Sequence, residues 1–235
     1  EYLPLPLILP HAVFLGLLLL AAVTARFVPE TVTRPDPAPR WRPQHVSAPG
    51  DSMAKFAVTA LAAFSAFGVF GLFTSLAPSY LVSTFGVTDH FIAGVTSFTV
   101  FGAAAAGQVA LVRLSARHQL TIAGVSCALG LSAVGAGALT ALLPLFLAGG
   151  LIAGVGVGLL FRASLQATVA LAPPGRRGAV TAFFFLIAYA GLALPVLAVG
   201  VALAVVPANI TLIVFLALSL LVTVSTAFRM RRSTT

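Results

Sequence analysis

Arg162 is a guanidinium set inside a long apolar run. A charge at membrane depth costs about 3 kcal/mol or more, so it marks a functional candidate. Its chemistry fits contact with an anionic solute. The structural reading is a long stem that snorkels to the headgroups or bonds backbone carbonyls. About 16 Å of helix separates it from the turn at Pro173. Gln166 stands one turn further on, and a polar path along that face would use both side chains. Thr74, Ser97, Gln108 and Tyr189 are further polar groups within apolar runs. Ser and Thr in such places commonly bond their own backbone. Phe70 belongs to a three-residue spacing of Phe64, Phe67, Phe70 and Phe73, and Phe183, Phe184 and Phe185 are consecutive. Such rings face lipid, pack between helices, or wall an apolar pocket. The candidate solute path is therefore Phe70, Thr74, Gln108, Arg162, Gln166 and Tyr189.

A second group acts through backbone shape. Gly150, Gly154 and Gly158 form a double small-xxx-small stripe, with Gly149 and Gly156 beside it. Helices without side chains at such positions approach closely and can slide. Pro195 removes one backbone hydrogen bond within its run and predicts a kink. These four stripe and kink positions, Gly150, Gly154, Gly158 and Pro195, are the packing and gating candidates. No H-E-x-x-H, G-x-S-x-G or P-loop pattern is present, and none of the five acidic residues falls in an apolar run. The single cysteine, Cys127, excludes an internal disulfide and a cysteine-rich metal site. The reading is therefore not an enzyme, with no cofactor and no metal.

The elements that must hold these residues follow from composition. The 235 residues are 60% hydrophobic and 8% charged, with mean hydropathy +1.09. A soluble domain carries about a quarter charged residues. A water-soluble enzyme, a secreted disulfide module and a disordered chain are all excluded. A bilayer core needs about 20 apolar residues of helix. Seven stretches qualify: Leu5–Ala25, Phe56–Ala77, Phe91–Val112, Leu120–Ala141, Leu143–Leu171, Ala179–Val205 and Ala208–Phe228. The runs are continuous rather than alternating, which excludes barrel strands. The fold class is an all-α integral membrane bundle, one helix plus six.

The net charge of +8 is a topology signal. Arg26, Arg34, Arg40, Arg42 and Lys55 lie between the first two spans. Arg113 and Arg117, then Arg176 and Arg177, lie in alternate later connections, and Arg229, Arg231 and Arg232 follow the last span. The other connections, Ser79–His90, the turn near Leu142 and Val206–Pro207, carry no Lys or Arg. By the positive-inside rule the basic side is cytoplasmic, which places the C-terminus inside. Topogenic, lipid-facing charge accounts for the arginines without nucleic acid. The expected organisation is a helix over 1–28, a Pro/Arg-rich cytoplasmic linker over 29–54 and a six-helix bundle over 55–235. Glu1 opens almost directly onto an apolar run, which reads as a chain cut from something longer.

One helix, a charged loop and six further helices resemble the C-terminal part of a major facilitator superfamily transporter. Val28-Pro29-Glu30-Thr31 resembles the ending of that family's sixth helix. Pro174-Gly175-Arg176-Arg177-Gly178 resembles its basic turn between helices ten and eleven. Tyr189, Gly191, Pro195 and Gly200 resemble its helix-eleven pattern. Gly107, Arg113 and Arg117 are a remnant of its loop signature, without the Asp. The resemblance implies helix six, the central loop and helices seven to twelve, with a missing N-terminal half as partner. It implies transport of a small solute by alternating access in the cell membrane. The apolar, aromatic-rich helices favour efflux of a lipophilic, drug-like compound. Uptake of an organic anion through Arg162, and a non-transporting assembly subunit, are the alternatives.

Overall fold

The computed structural model describes residue 5, residues 8–29 and residues 49–233. Residues 30–48 of the expected linker lie outside the described residues, and its end is already helical, in a 3-10 turn at Gly50–Ser52 and a helix that starts at Met53. The chain divides into two compact units, Glu1–Gln44 and His45–Thr235.

In the first unit, α1 (Leu9–Ala25) is 17 residues long, with Pro10 in its first turn. Proline is harmless there because the first N–H groups have no helical acceptor. The helix is about 25 Å long and buries none of its residues. A helix apolar all round is suited to lipid.

Among the described residues, the second unit holds seven α-helices: α2 (Met53–Gly71), α3 (Ala77–Phe85), α4 (His90–Ala110), α5 (Ala116–Leu139), α6 (Leu143–Leu171), α7 (Arg177–Ala202) and α8 (Ala208–Ser233). A π turn, Leu72–Leu76, joins α2 to α3 without a break. The unit therefore has six helical segments long and apolar enough to cross a membrane, the first running Met53–Phe85. The sequence reading ended this span at Ala77, because Ser79–His90 looked like a loop. The helix instead absorbs Pro78 at the start of α3, where its missing N–H coincides with the disturbed turn. The connection shrinks to Gly86–Asp89. Gly86 supplies the left-handed φ of +66° that closes α3, and the Asp89 carboxylate accepts the Phe91 N–H, 2.8 Å, to cap α4. Likewise α8 runs past the expected Phe228 to Ser233, with Arg231 and Arg232 in its last turn. Cations there complement the helix dipole.

Close approaches give the register. Gly130 lies against Ala153 and Gly137 against Phe146, so α5 and α6 are antiparallel. Gly154 meets Val100 and Gly158 meets Ala104, so α4 and α6 run the same way. Gly191 lies on Phe64, and Gly71 on Leu192, which sets α2 and α7 parallel. α6 is the hub, contacting α2, α4, α5, α7 and α8. The largest apolar core holds Phe73, Val134, Phe146, Val157 and Phe215. The turns Arg113–Arg117 and Arg176–Arg177, with Lys55 and the end of α8, lie at one end of the unit. The opposite turns, 86–89, 140–142 and 203–207, contain no Lys or Arg.

Candidate functional site: an aromatic wall beside Arg162

The two glycine stripes of α6 divide their labour. Gly150, Gly154 and Gly158 face α4 and the π turn. A Cβ on Gly154 would sit 2.5 Å from the Val100 carbonyl oxygen, and one on Gly158 2.5 Å from that of Ala104. A Cβ on Gly150 would meet the Phe73 ring at 2.9 Å. Gly149 and Gly156 face α5, where a Cβ would come within 2.6 Å of the Val134 nitrogen and 2.7 Å of the Cys127 nitrogen. At Gly149, Gly154, Gly156 and Gly158 the gap is closed by backbone, which cannot rotate aside as a side chain can, whereas at Gly150 it is closed by the Phe73 ring.

With α6 held this closely, rings from four helices gather around Phe67. Its centroid lies 5.3 Å from Phe161 on α6, 5.5 Å from Tyr189 on α7 at 88° and 6.0 Å from Phe70. Phe70 stacks on Phe101 of α4 at 4.5 Å, and Phe185 lies 6.1 Å from Phe161 and 6.2 Å from Tyr189. Edge and offset pairs of this kind contribute about 0.5–1.5 kcal/mol each beyond burial. The cluster is buried at Phe70 and open at its rim, where Phe101 is 41% and Tyr189 58% exposed. It presents flat π faces, which bind planar apolar groups and attract cations.

Arg162 follows Phe161 and points to α4. Its Nη1 donates to the Gln108 carbonyl, 3.0 Å. Gln108 is in the last turn of α4, where carbonyls run out of helical donors and the dipole favours a cation. Thus Gln108 engages Arg162 through its backbone. The Arg162 Nε is buried and has no hydrogen-bond partner among the described residues.

The other path candidates are dispersed. Thr74 is exposed in the π turn, its hydroxyl donating to the carbonyls of Phe70, 3.0 Å, and Gly71, 3.2 Å. Ser97 on α4 donates to the Phe73 carbonyl, 2.8 Å. Both hydroxyls serve backbone acceptors at the disturbed turn. Gln166 lines a 530 Å³ cleft with Lys55, Thr59, Arg229 and Met230. Arg162 is not among the residues that line that cleft and turns instead to the Gln108 carbonyl of α4. Pro195 lies inside α7 and borders a separate apolar cleft against α8 with Val206 and Val214.

Gln119 was not singled out from the sequence. It is 4% exposed, and its Nε2 donates to the carbonyls of Leu111, 3.1 Å, and Leu114, 2.9 Å, tying the α4–α5 turn. The short spacing to Arg113 and Arg117 was the only available hint. Phe67 was visible in the periodic phenylalanines, whereas Phe101 and Phe161 carried no signal.

No curated protein and no solved structure matches the chain. The family model described as Major Facilitator Superfamily matches residues 9–195, most of the chain, and a bundle of six long apolar helices agrees with it. The protein is a member of the major facilitator superfamily, whose business is membrane transport.

Proposed function

We propose that the His45–Thr235 unit forms one wall of a midplane cavity and exports a lipophilic, drug-like solute by alternating access against an amino-terminal half. The carrying observation is the aromatic cluster, which joins α2, α4, α6 and α7 and opens at Phe101 and Tyr189. Transporter sites lie at the interface of two bodies, and rocking of one against the other gives access to each side in turn. The basic turns face the cytoplasm in the cell membrane on this reading, with the C-terminus inside.

The test is efflux of a lipophilic aromatic cation from cells expressing the chain together with its amino-terminal half. Phe67→Ala removes three ring contacts and should lower efflux about tenfold or more at equal membrane abundance. Phe98, 75% exposed and outside the described ring contacts of the cluster, serves as the control, and Phe98→Ala should leave efflux within twofold. Equal effects at Phe67 and Phe98 would contradict the reading.

The unpartnered Nε of Arg162 favours a second reading, uptake of an organic anion. There Arg162→Lys retains part of the uptake, and Arg162→Ala loses it at normal membrane levels. Full activity in Arg162→Ala would leave the guanidinium as a cap for α4 alone.

A further inference from the structure

The cleft that Gln166 lines is carved by small residues. Ala163, Ala167 and Ala170 share one face of α6, and with Ala116 at the start of α5 they leave 530 Å³ open among α2, α5, α6 and α8. Leu171 ends α6, and Lys55 lies in the first turn of α2. The cleft therefore starts at the basic end of the unit. It runs inward as far as Ala163, about 12 Å along α6.

Its two parts differ in chemistry. Lys55 and Arg229 supply two cations, and no carboxylate lines the cleft among the described residues. Gln166 adds an exposed amide. The remaining lining is mostly apolar, with Val58, Leu120, Ala163 and Ala167. Thr59 is already engaged, its hydroxyl donating to the Phe56 carbonyl, 2.9 Å, and sharing a hydrogen bond with Thr168, 2.8 Å. That part of the cleft suits methylene groups. An inorganic anion would leave the apolar lining unused, and a neutral chain would leave the cations unused. A carboxylate on a hydrocarbon chain would use both, because charge-assisted hydrogen bonds hold its head. The volume lies within the range of small-molecule sites, about 300–1,000 Å³. We infer that this cleft binds a single-chain amphipathic carboxylate of the fatty-acid class, its head between Lys55 and Arg229 and its chain along Val58, Leu120, Ala163 and Ala167. None of these residues belongs to the aromatic wall, so the site does not depend on the solute.

The purified chain in a neutral detergent is photolabelled with a diazirine-bearing decanoate, and the label is located by peptide mass spectrometry. It should fall on the α2 and α6 segments that line the cleft. Unlabelled decanoate should compete at least tenfold better than decanol, and acetate should not compete. An exposed cation contributes up to about fivefold to such a pairing, so Lys55→Gln with Arg229→Gln should weaken binding about tenfold. Lys55→Arg with Arg229→Lys keeps the charge and should retain most of the binding, which separates lost binding from lost folding. Ala167→Leu fills the apolar part and should abolish labelling with no fall in melting temperature. Arg176→Gln removes a charge from the same end of the unit but outside the cleft, so it should label as wild type. Equal competition by decanol and decanoate, or equal losses in Arg176→Gln and the double Gln variant, would overturn the site. Competition by acetate as strong as by decanoate would show a bare anion site, and stronger competition by phosphatidylglycerol a two-chain lipid site; either result would refute the single-chain assignment.

Discussion

Gly158→Val should prevent the six-helix unit from assembling. A Cβ at residue 158 would fall 2.5 Å from the Ala104 carbonyl oxygen and 2.7 Å from the Ala104 Cα. Valine adds two methyl groups beyond that Cβ. The obstacle is the α4 backbone, so relief requires the two helices to separate. Small-residue seams supply much of the packing energy between helices in a bilayer, where lipid is as apolar as the side chains. Overpacking costs about 1–3 kcal/mol where side chains can adjust, and here they cannot. Separation of α4 from α6 would also break the Arg162–Gln108 bond and pull Phe101 from Phe70. Thermal denaturation in detergent, followed by size-exclusion chromatography, checks this. Gly158→Val should give no monodisperse peak. Gly94→Ala, with nothing within 4 Å of its Cβ, should melt as wild type or slightly above it, since alanine favours helix. A wild-type melt for Gly158→Val would show that the seam is not closed.

The glycine stripe was legible because its spacing alone marks one helix face. Its partner was not, since a stripe of absent side chains cannot say which neighbour fills it. Gly150, Gly154 and Gly158 meet α4, while Gly149 and Gly156, counted as part of the same feature, meet α5. Hydropathy located the spans for a similar reason, because lipid demands long apolar helices whatever the tertiary contacts. It misplaced the end of the second span, because Ser79–His90 reads as a connection although the helix continues through a π turn and Pro78 to Phe85. Arg162 stood out by charge, yet its acceptor on Gln108 is a backbone carbonyl 54 residues away and leaves no trace in composition. The pairing of Arg162 with Gln166 followed from helical spacing. In the structure Gln166 lines a cleft among α2, α5, α6 and α8, while Arg162 donates to α4. The aromatic wall was half visible, with α2 giving a periodic set and α4 and α6 one ring each.

Loss of solute flux in the absence of a second body is the other large expected effect. Phe101 and Tyr189 are exposed at the rim of the aromatic wall, and a solute bound against these rings would remain uncovered on its far side. A midplane site needs both walls, and alternating access needs two bodies that rock about it. The His45–Thr235 unit encloses its own apolar cores around α6, so it should insert and fold without the second wall. The most direct measurement is uptake of a radiolabelled lipophilic cation into proteoliposomes, with the chain reconstituted as a monomer or together with the family's amino-terminal half. The monomer should show no flux above empty liposomes. The pair should show saturable flux that Phe67→Ala lowers about tenfold. Saturable flux by the monomer, or flux by the pair unaffected by Phe67→Ala, would contradict a wall that works only against a second one.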